Sequence, residues 1–156
     1  MIIVADTSAL FAAFDADQDE HEQAVSVMER ETLIISPLVL TELDHLTRRD
    51  LGFNAAMAIT DVLLARAIEG RYRLAELKHV DLSTAQSVRA KYEGLQLDLA
   101  DAVGVALADK YKTDCIFTLD QRDFRAIEPL TSGLRSFRIL PATANRSDQG
   151  RSPQYR

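Results

Sequence analysis

The sequence predicts an α/β domain in which a central parallel β-sheet is flanked by helices and accompanied by a helical hairpin. Two observations carry that expectation. Short apolar runs rich in β-branched residues, Met1 to Ala5, Leu33 to Ile35 and Thr113 to Leu119, alternate with segments whose apolar residues recur at helical spacing. That alternation is the order of a parallel sheet covered on its faces by helices. Two of the runs also end on aspartate, at Asp6 and Asp120, which puts carboxylates at the carboxyl edge of the sheet, where open α/β folds bind ligands.

Each element follows from local chemistry. After Asp6, Thr7 and Ser8 offer hydroxyls to the free N–H groups of a short helix from Ala9 to Phe14. The polar run Asp15 to Glu20 reads as a loop, and Ala24, Val25 and Met28 give a second helix from His21 to Arg30, with His21 turned to solvent. Ser36-Pro37 is a helix-start pair, serine as cap and proline in the first turn, opening a helix to about Arg49. Within it Glu42 falls between Leu38 and Leu46, a half-buried place that requires a partner: a metal ion, a proton or a base such as Arg49. Gly52 breaks the pattern, and Ala55 to Ile68 form the second arm of the hairpin, stopped by Gly70.

Tyr72 to Val80 alternates and reads as a strand, followed by a helix capped by Asp81 and running to Gly94. Small residues at 100, 102, 104, 106 and 108 predict a closely packed helix with Asp98 and Asp101 in its first turn. Asp98 fits the cap, which leaves Asp101 free to face a ligand. Phe137 to Leu140 give a last strand, stopped by Pro141. Residues 142–156 hold almost no apolar side chains and read as a disordered tail beyond a single domain over 1–141.

Composition narrows the function. With 156 residues and 47% apolar content, one core is filled and no second is needed. A lone cysteine, Cys115, excludes an internal disulfide framework and reads as an inert core thiol. The five-residue apolar start has no basic region before it and is too short for a signal peptide or a membrane span, so a cytoplasmic protein is expected. A net charge of −6 argues against broad, charge-driven binding to nucleic acid while leaving room for divalent metal.

The carboxylates then decide the chemistry. Asp6 and Asp120 end strands at one edge, and Glu42 and Asp101 lie on helices that start from it. Four such groups without a lysine among them repel, and hard divalent cations are the simple remedy. Cations held that way work on phosphates, so phosphodiester hydrolysis is the physical reading. A haloacid-dehalogenase-like phosphatase fails because Ser8 stands where its second aspartate belongs, and no glycine-rich loop supports a nucleotide-binding Rossmann module.

Four stretches in this order resemble the PIN-domain ribonucleases, and among them the VapC toxins of toxin–antitoxin pairs. They are Val4-Ala5-Asp6-Thr7-Ser8, Ser36 to Leu43, Leu99-Ala100-Asp101-Ala102 and Thr118 to Phe124. The resemblance implies a PIN-like fold and a Mg²⁺- or Mn²⁺-dependent endoribonuclease with Asp6, Glu42, Asp101 and Asp120 as metal-binding carboxylates. It also implies Asp123 as a further ligand, hydroxyls of Thr7 and Thr118 behind them, a homodimer, and inhibition by a cognate VapB-type antitoxin. On the hairpin, Leu43, Leu46, Leu63 and Leu64 beside Arg48 and Arg49 would offer that antitoxin a groove. The alternative is a catalytically silent PIN-like module that only binds.

Overall fold

A computed structural model of the chain describes residues 1–142. The tail expected from residue 142 therefore falls, from 143 onward, outside the described residues. Strands β1 (Ile2–Ala5), β2 (Thr32–Ile35), β3 (Arg73–Leu74), β4 (Cys115–Phe117) and β5 (Arg138–Leu140) form one sheet in the order β3-β2-β1-β4-β5. Every pairing is parallel, as the alternation of elements predicts.

The helices are α1 (Thr7–Phe14), α2 (His21–Arg30), α3 (Pro37–Asp50), α4 (Phe53–Ile68), α5 (His79–Lys91), α6 (Leu99–Lys110) and α7 (Gln121–Ala126). Side chains of a strand alternate between faces, and the core divides accordingly. Ile3, Ala5, Leu33, Ile35, Cys115 and Phe117 pack with α1 to α4 on one face. Val4, Ile34 and Ile116 pack with α5, α6 and Phe124 of α7 on the other. The chain steps outward from β1 through β2 to β3, then returns to place β4 on the opposite side of β1. Strand order reverses between β1 and β4, and such a reversal opens a crevice at the carboxyl ends of the strands.

Several local expectations are corrected. Helix α1 begins at Thr7 rather than Ala9, and the hydroxyls of Thr7 and Ser8 do not cap it; they reach across to other segments. The strand expected over Tyr72 to Val80 shrinks to Arg73–Leu74, because Tyr72 is drawn into the core, where its hydroxyl donates to the Met28 carbonyl at 2.8 Å. Asp81 is not the cap of α5 but lies one turn in, accepting from the Lys78 N–H at 2.9 Å and pairing with Lys110 at 3.1 Å. His21 turns inward, with Nδ1 2.8 Å from the Ala12 carbonyl, tying α2 to α1. Leu43 and Leu63 are 2% exposed and fill the protein's own core, so the expected antitoxin groove loses half its leucines; Leu64 alone of the four is exposed. Cys115 is buried, and desolvation pushes its thiol up to about 11, consistent with an inert role.

Candidate active site

The site is assembled at the β1/β4 reversal. The Asp6 N–H donates to the Phe117 carbonyl at 2.9 Å, continuing the β1–β4 ladder by one residue and fixing Asp6 beside Thr118. Asp6 occupies the position before α1 from which a side chain commonly caps the helix, yet its carboxylate makes no such bond. Two hydroxyls hold it instead. Thr118 Oγ1 donates to Asp6 Oδ2 at 2.7 Å and Ser8 Oγ donates to the same oxygen at 3.0 Å. Those hydroxyls are anchored in turn, because Leu119 N–H donates to Ser8 at 3.0 Å and Asp120 N–H donates to Thr118 at 3.0 Å. The strand ends at 5 and 117 are thereby locked to each other through side chains as well as backbone.

Glu42 approaches on α3, whose start is set by the Ser36 hydroxyl accepting the Val39 N–H and by Pro37 in the first turn. Contrary to the expectation of a half-buried residue, Glu42 is exposed at the rim. Its Oε2 accepts from Thr7 Oγ1 at 2.9 Å, and Thr7 is the first residue of α1 rather than its cap. No base pairs with it: Arg49 turns away to Asp50 at 2.7 Å. Partial desolvation raises the Glu42 pKa, the Thr7 bond opposes this, and the charges of Asp98 and Asp6 add to the rise.

Asp101 completes the arrangement from α6. Asp98 caps that helix as the spacing predicts, Oδ1 accepting the Asp101 N–H at 2.8 Å. The Asp101 side chain is left to face the crevice with small Ala100 and Ala102 beside it. Burial, then the charges of Asp6, Asp98, Asp120 and Glu42, push its carboxyl up to about 8. Carboxylate oxygens of Asp101, Asp120 and Asp123 lie within 4.8 Å of one another. Asp120 stands at the position before α7 without capping it, and Asp123 follows within the first turn of that helix.

All the carboxylates read from the sequence thus lie at one edge. The structure sorts them into a hydroxyl-held pair, Asp6 and Glu42, and a close trio, Asp101, Asp120 and Asp123. Ser8 was the one participant assigned elsewhere, to a helix cap. The signal that finds it is its place two residues after a strand-ending aspartate, where its hydroxyl reaches back to that carboxylate. A divalent cation fits this donor set on the chemistry alone: hard oxygen ligands, close together, one held protonated by burial and by its neighbours' charge in the absence of a cation.

The sequence pattern of the PIN domain matches residues 3–129. The chain belongs to the PIN-domain family. Along 141 residues it is 34% identical to ribonuclease VapC26 of Mycobacterium tuberculosis, covering 89% of this chain and all of that one, which sets this PIN domain among the VapC ribonucleases. The fold is shared with the crystal structure of Mycobacterium tuberculosis VapC20, a sarcin-ricin loop cleaving toxin: TM-score 0.69, 21% identity, 78% of this chain and 92% of that one. It is shared also with DNA-bound VapBC from Salmonella typhimurium: TM-score 0.60, 16% identity, 89% of this chain and 97% of that one. No helix among the described residues is long and apolar enough to cross a membrane.

Proposed function

We propose that this PIN domain is an endoribonuclease toxin that hydrolyses RNA phosphodiester bonds with a divalent cation, Mg²⁺ or Mn²⁺, held by Asp6, Glu42, Asp101, Asp120 and Asp123. The observation that carries the reading is the gathering of carboxylate oxygens of Asp101, Asp120 and Asp123 within 4.8 Å of one another, where burial and then the neighbouring charges push Asp101 up to about 8, so that either a proton or a cation must balance the cluster. When bound, such a cation polarises a phosphoryl oxygen and makes a water more acidic.

The chain's own residues have separate tasks. Thr118 and Ser8 fix the Asp6 carboxylate by donating to its Oδ2, so the free Oδ1 keeps a set direction. Thr7 does the same for Glu42. Asp101 must release its proton before it can serve as a ligand, so cation binding and proton release are linked there. The exposed rim positions of Glu42 and Asp120 admit a polymer rather than enclose a small molecule.

One structure that shares the fold is a toxin–antitoxin complex from Klebsiella pneumoniae, which supports the VapB-type protein proposed here as the partner. The homodimer is proposed from the family resemblance alone. A cytoplasmic location follows from those roles. Nothing favours a silent binding module, since every carboxylate the chemistry needs is present. Incubating the purified protein with RNA and Mn²⁺ should give discrete cleavage products, and EDTA should abolish them. Full cleavage in EDTA would remove the metal from the reading, and no cleavage of any RNA with Mn²⁺ would remove the nuclease.

A further inference from the structure

The corner where α3 turns into α4 gathers cations and an aromatic ring outside the acidic site. His45, Arg48, Arg49 and Phe53, all exposed, line an open depression of about 530 Å³. The Arg48 guanidinium stands 6.0 Å from the centroid of the Phe53 ring, within cation–π range, and Phe53 keeps 62% of its surface in solvent. In a chain of net charge −6 this corner runs against the average. Arg48 and His45 make no ion pair among the described residues, and Arg49 pairs only with its exposed neighbour Asp50, a contact weak enough to exchange for a phosphate.

Its position joins it to the site. The helical period sets residues 42, 45 and 49 on one side of α3. Seven residues at the α-helical rise carry Arg49 about 10 Å along the axis from Glu42. A strand engaged at the carboxylates and running along α3 therefore meets the depression.

We propose that this corner binds single-stranded RNA flanking the scissile phosphate, Phe53 stacking an unpaired base and Arg48 and Arg49 holding its phosphates; the assignment rests on the nuclease reading above. A ring presented among cations is the arrangement that grips unpaired nucleotides, since every base has a face to stack and every link a charge to hold. A duplex offers no free face to that ring. Met57, Leu64 and Ile68 are also exposed on α4, but they lie outside this depression, and Met57 serves as the control for exposed apolar surface on the same helix.

The test uses a labelled single-stranded RNA of about 12 nucleotides, within the site sizes of single-strand binders. Its Kd is measured in EDTA and its cleavage in Mn²⁺ for the wild type, Phe53→Ala, Phe53→Tyr, Arg48→Gln and Met57→Ser. Phe53→Ala should raise Kd and KM about tenfold, the usual loss of one base–aromatic stack, with kcat little changed. Phe53→Tyr should restore both, Arg48→Gln should weaken binding and flatten its salt dependence, and Met57→Ser should match the wild type. Unchanged Kd and KM in Phe53→Ala, or an equal loss in Met57→Ser, overturns the proposal while leaving the nuclease reading standing. RNA bound through Phe53 but never cleaved supports the corner and removes the nuclease.

Discussion

Asp6 and Asp101 serve one site and are held in different ways. Asp6 receives two hydroxyl donors, each anchored by a backbone N–H from the segment after β4. Asp101 accepts no hydrogen bond from any described residue; burial, and then the charge of four carboxylates, holds its proton on up to about 8. The difference teaches how an acidic site can exist in a folded chain. Where the protein supplies donors, a carboxylate is fixed without outside help. Where it supplies none, charge must come from a proton or a cation, and the undonated side is where a cation gains most.

Asp101→Asn and Asp6→Asn should each lower RNA cleavage by orders of magnitude, since both remove a carboxylate proposed to hold the cation, but their stabilities should diverge. Asp101→Asn relieves repulsion, so the metal-free variant should melt at the same or a higher temperature than the wild type. Asp6→Asn keeps an oxygen for Ser8 and Thr118 and gains nothing comparable. The sharper test is pH. A carboxyl at about 8 when folded and 3.8 in its ordinary state retains a proton that the unfolded chain releases. Stability in EDTA should therefore be whole below about pH 4 and fall as pH rises toward 8. Glu42, also raised, adds in the same direction. In Asp101→Asn that slope should flatten; equal slopes in denaturant titrations of the two proteins would show that Asp101 is not the strained group.

An intermediate effect is expected at Thr118. Thr118→Val keeps the volume of a fully buried residue but removes the donor to Asp6 and the acceptor for the Asp120 N–H. Groups that orient ligands usually cost ten- to a hundredfold in metal affinity or activity when lost. Mn²⁺ affinity measured by calorimetry should fall by about that factor, and Thr118→Ser should recover most of it. A Val variant that binds Mn²⁺ like the wild type would mean that Ser8 alone orients Asp6.

Much of this was legible in the sequence because the signals were local. The strand-type run ended by Asp6, the Ser36-Pro37 helix start and the Asp98 cap are each written in a few adjacent residues, and the structure keeps them, whereas the strand expected from Thr113 to Leu119 shrinks to Cys115–Phe117 and Asp120 stands beyond it, before α7. What failed depended on partners far along the chain. Thr7 and Ser8 look like caps until Glu42 and Leu119 arrive from 35 and 111 residues away to claim their hydroxyls. Tyr72 looks like a strand residue until Met28 takes its hydroxyl. Glu42 read as half-buried because its helix carries leucines on both sides, whereas the crevice opens at that turn and leaves it in solvent. The leucines of the hairpin follow the same logic, since an amphipathic pattern cannot say whether its partner is the chain's own core or another protein.

The smallest expected effect separates the two aspartates of α6, three residues apart. Asp98 Oδ1 is committed to the Asp101 N–H, so Asp98→Ala removes a cap, at a cost of about 1 kcal/mol. For a chain of this size that corresponds to a fall in Tm of about 2–4 °C. The same carboxylate also raises the Asp101 pKa by its charge, so deleting it returns part of the loss at neutral pH. Asp98→Asn distinguishes the two contributions: asparagine caps about as well as aspartate and carries no charge, so its Tm in EDTA should equal or exceed that of the wild type. Cleavage should be largely retained in both variants, because Asp98 lies outside the close trio of oxygens. Melting curves and initial rates on one RNA substrate check this directly. An inactive Asp98→Ala beside an active Asp101→Asn would exchange the roles, making Asp98 the ligand and Asp101 only the residue whose N–H it holds.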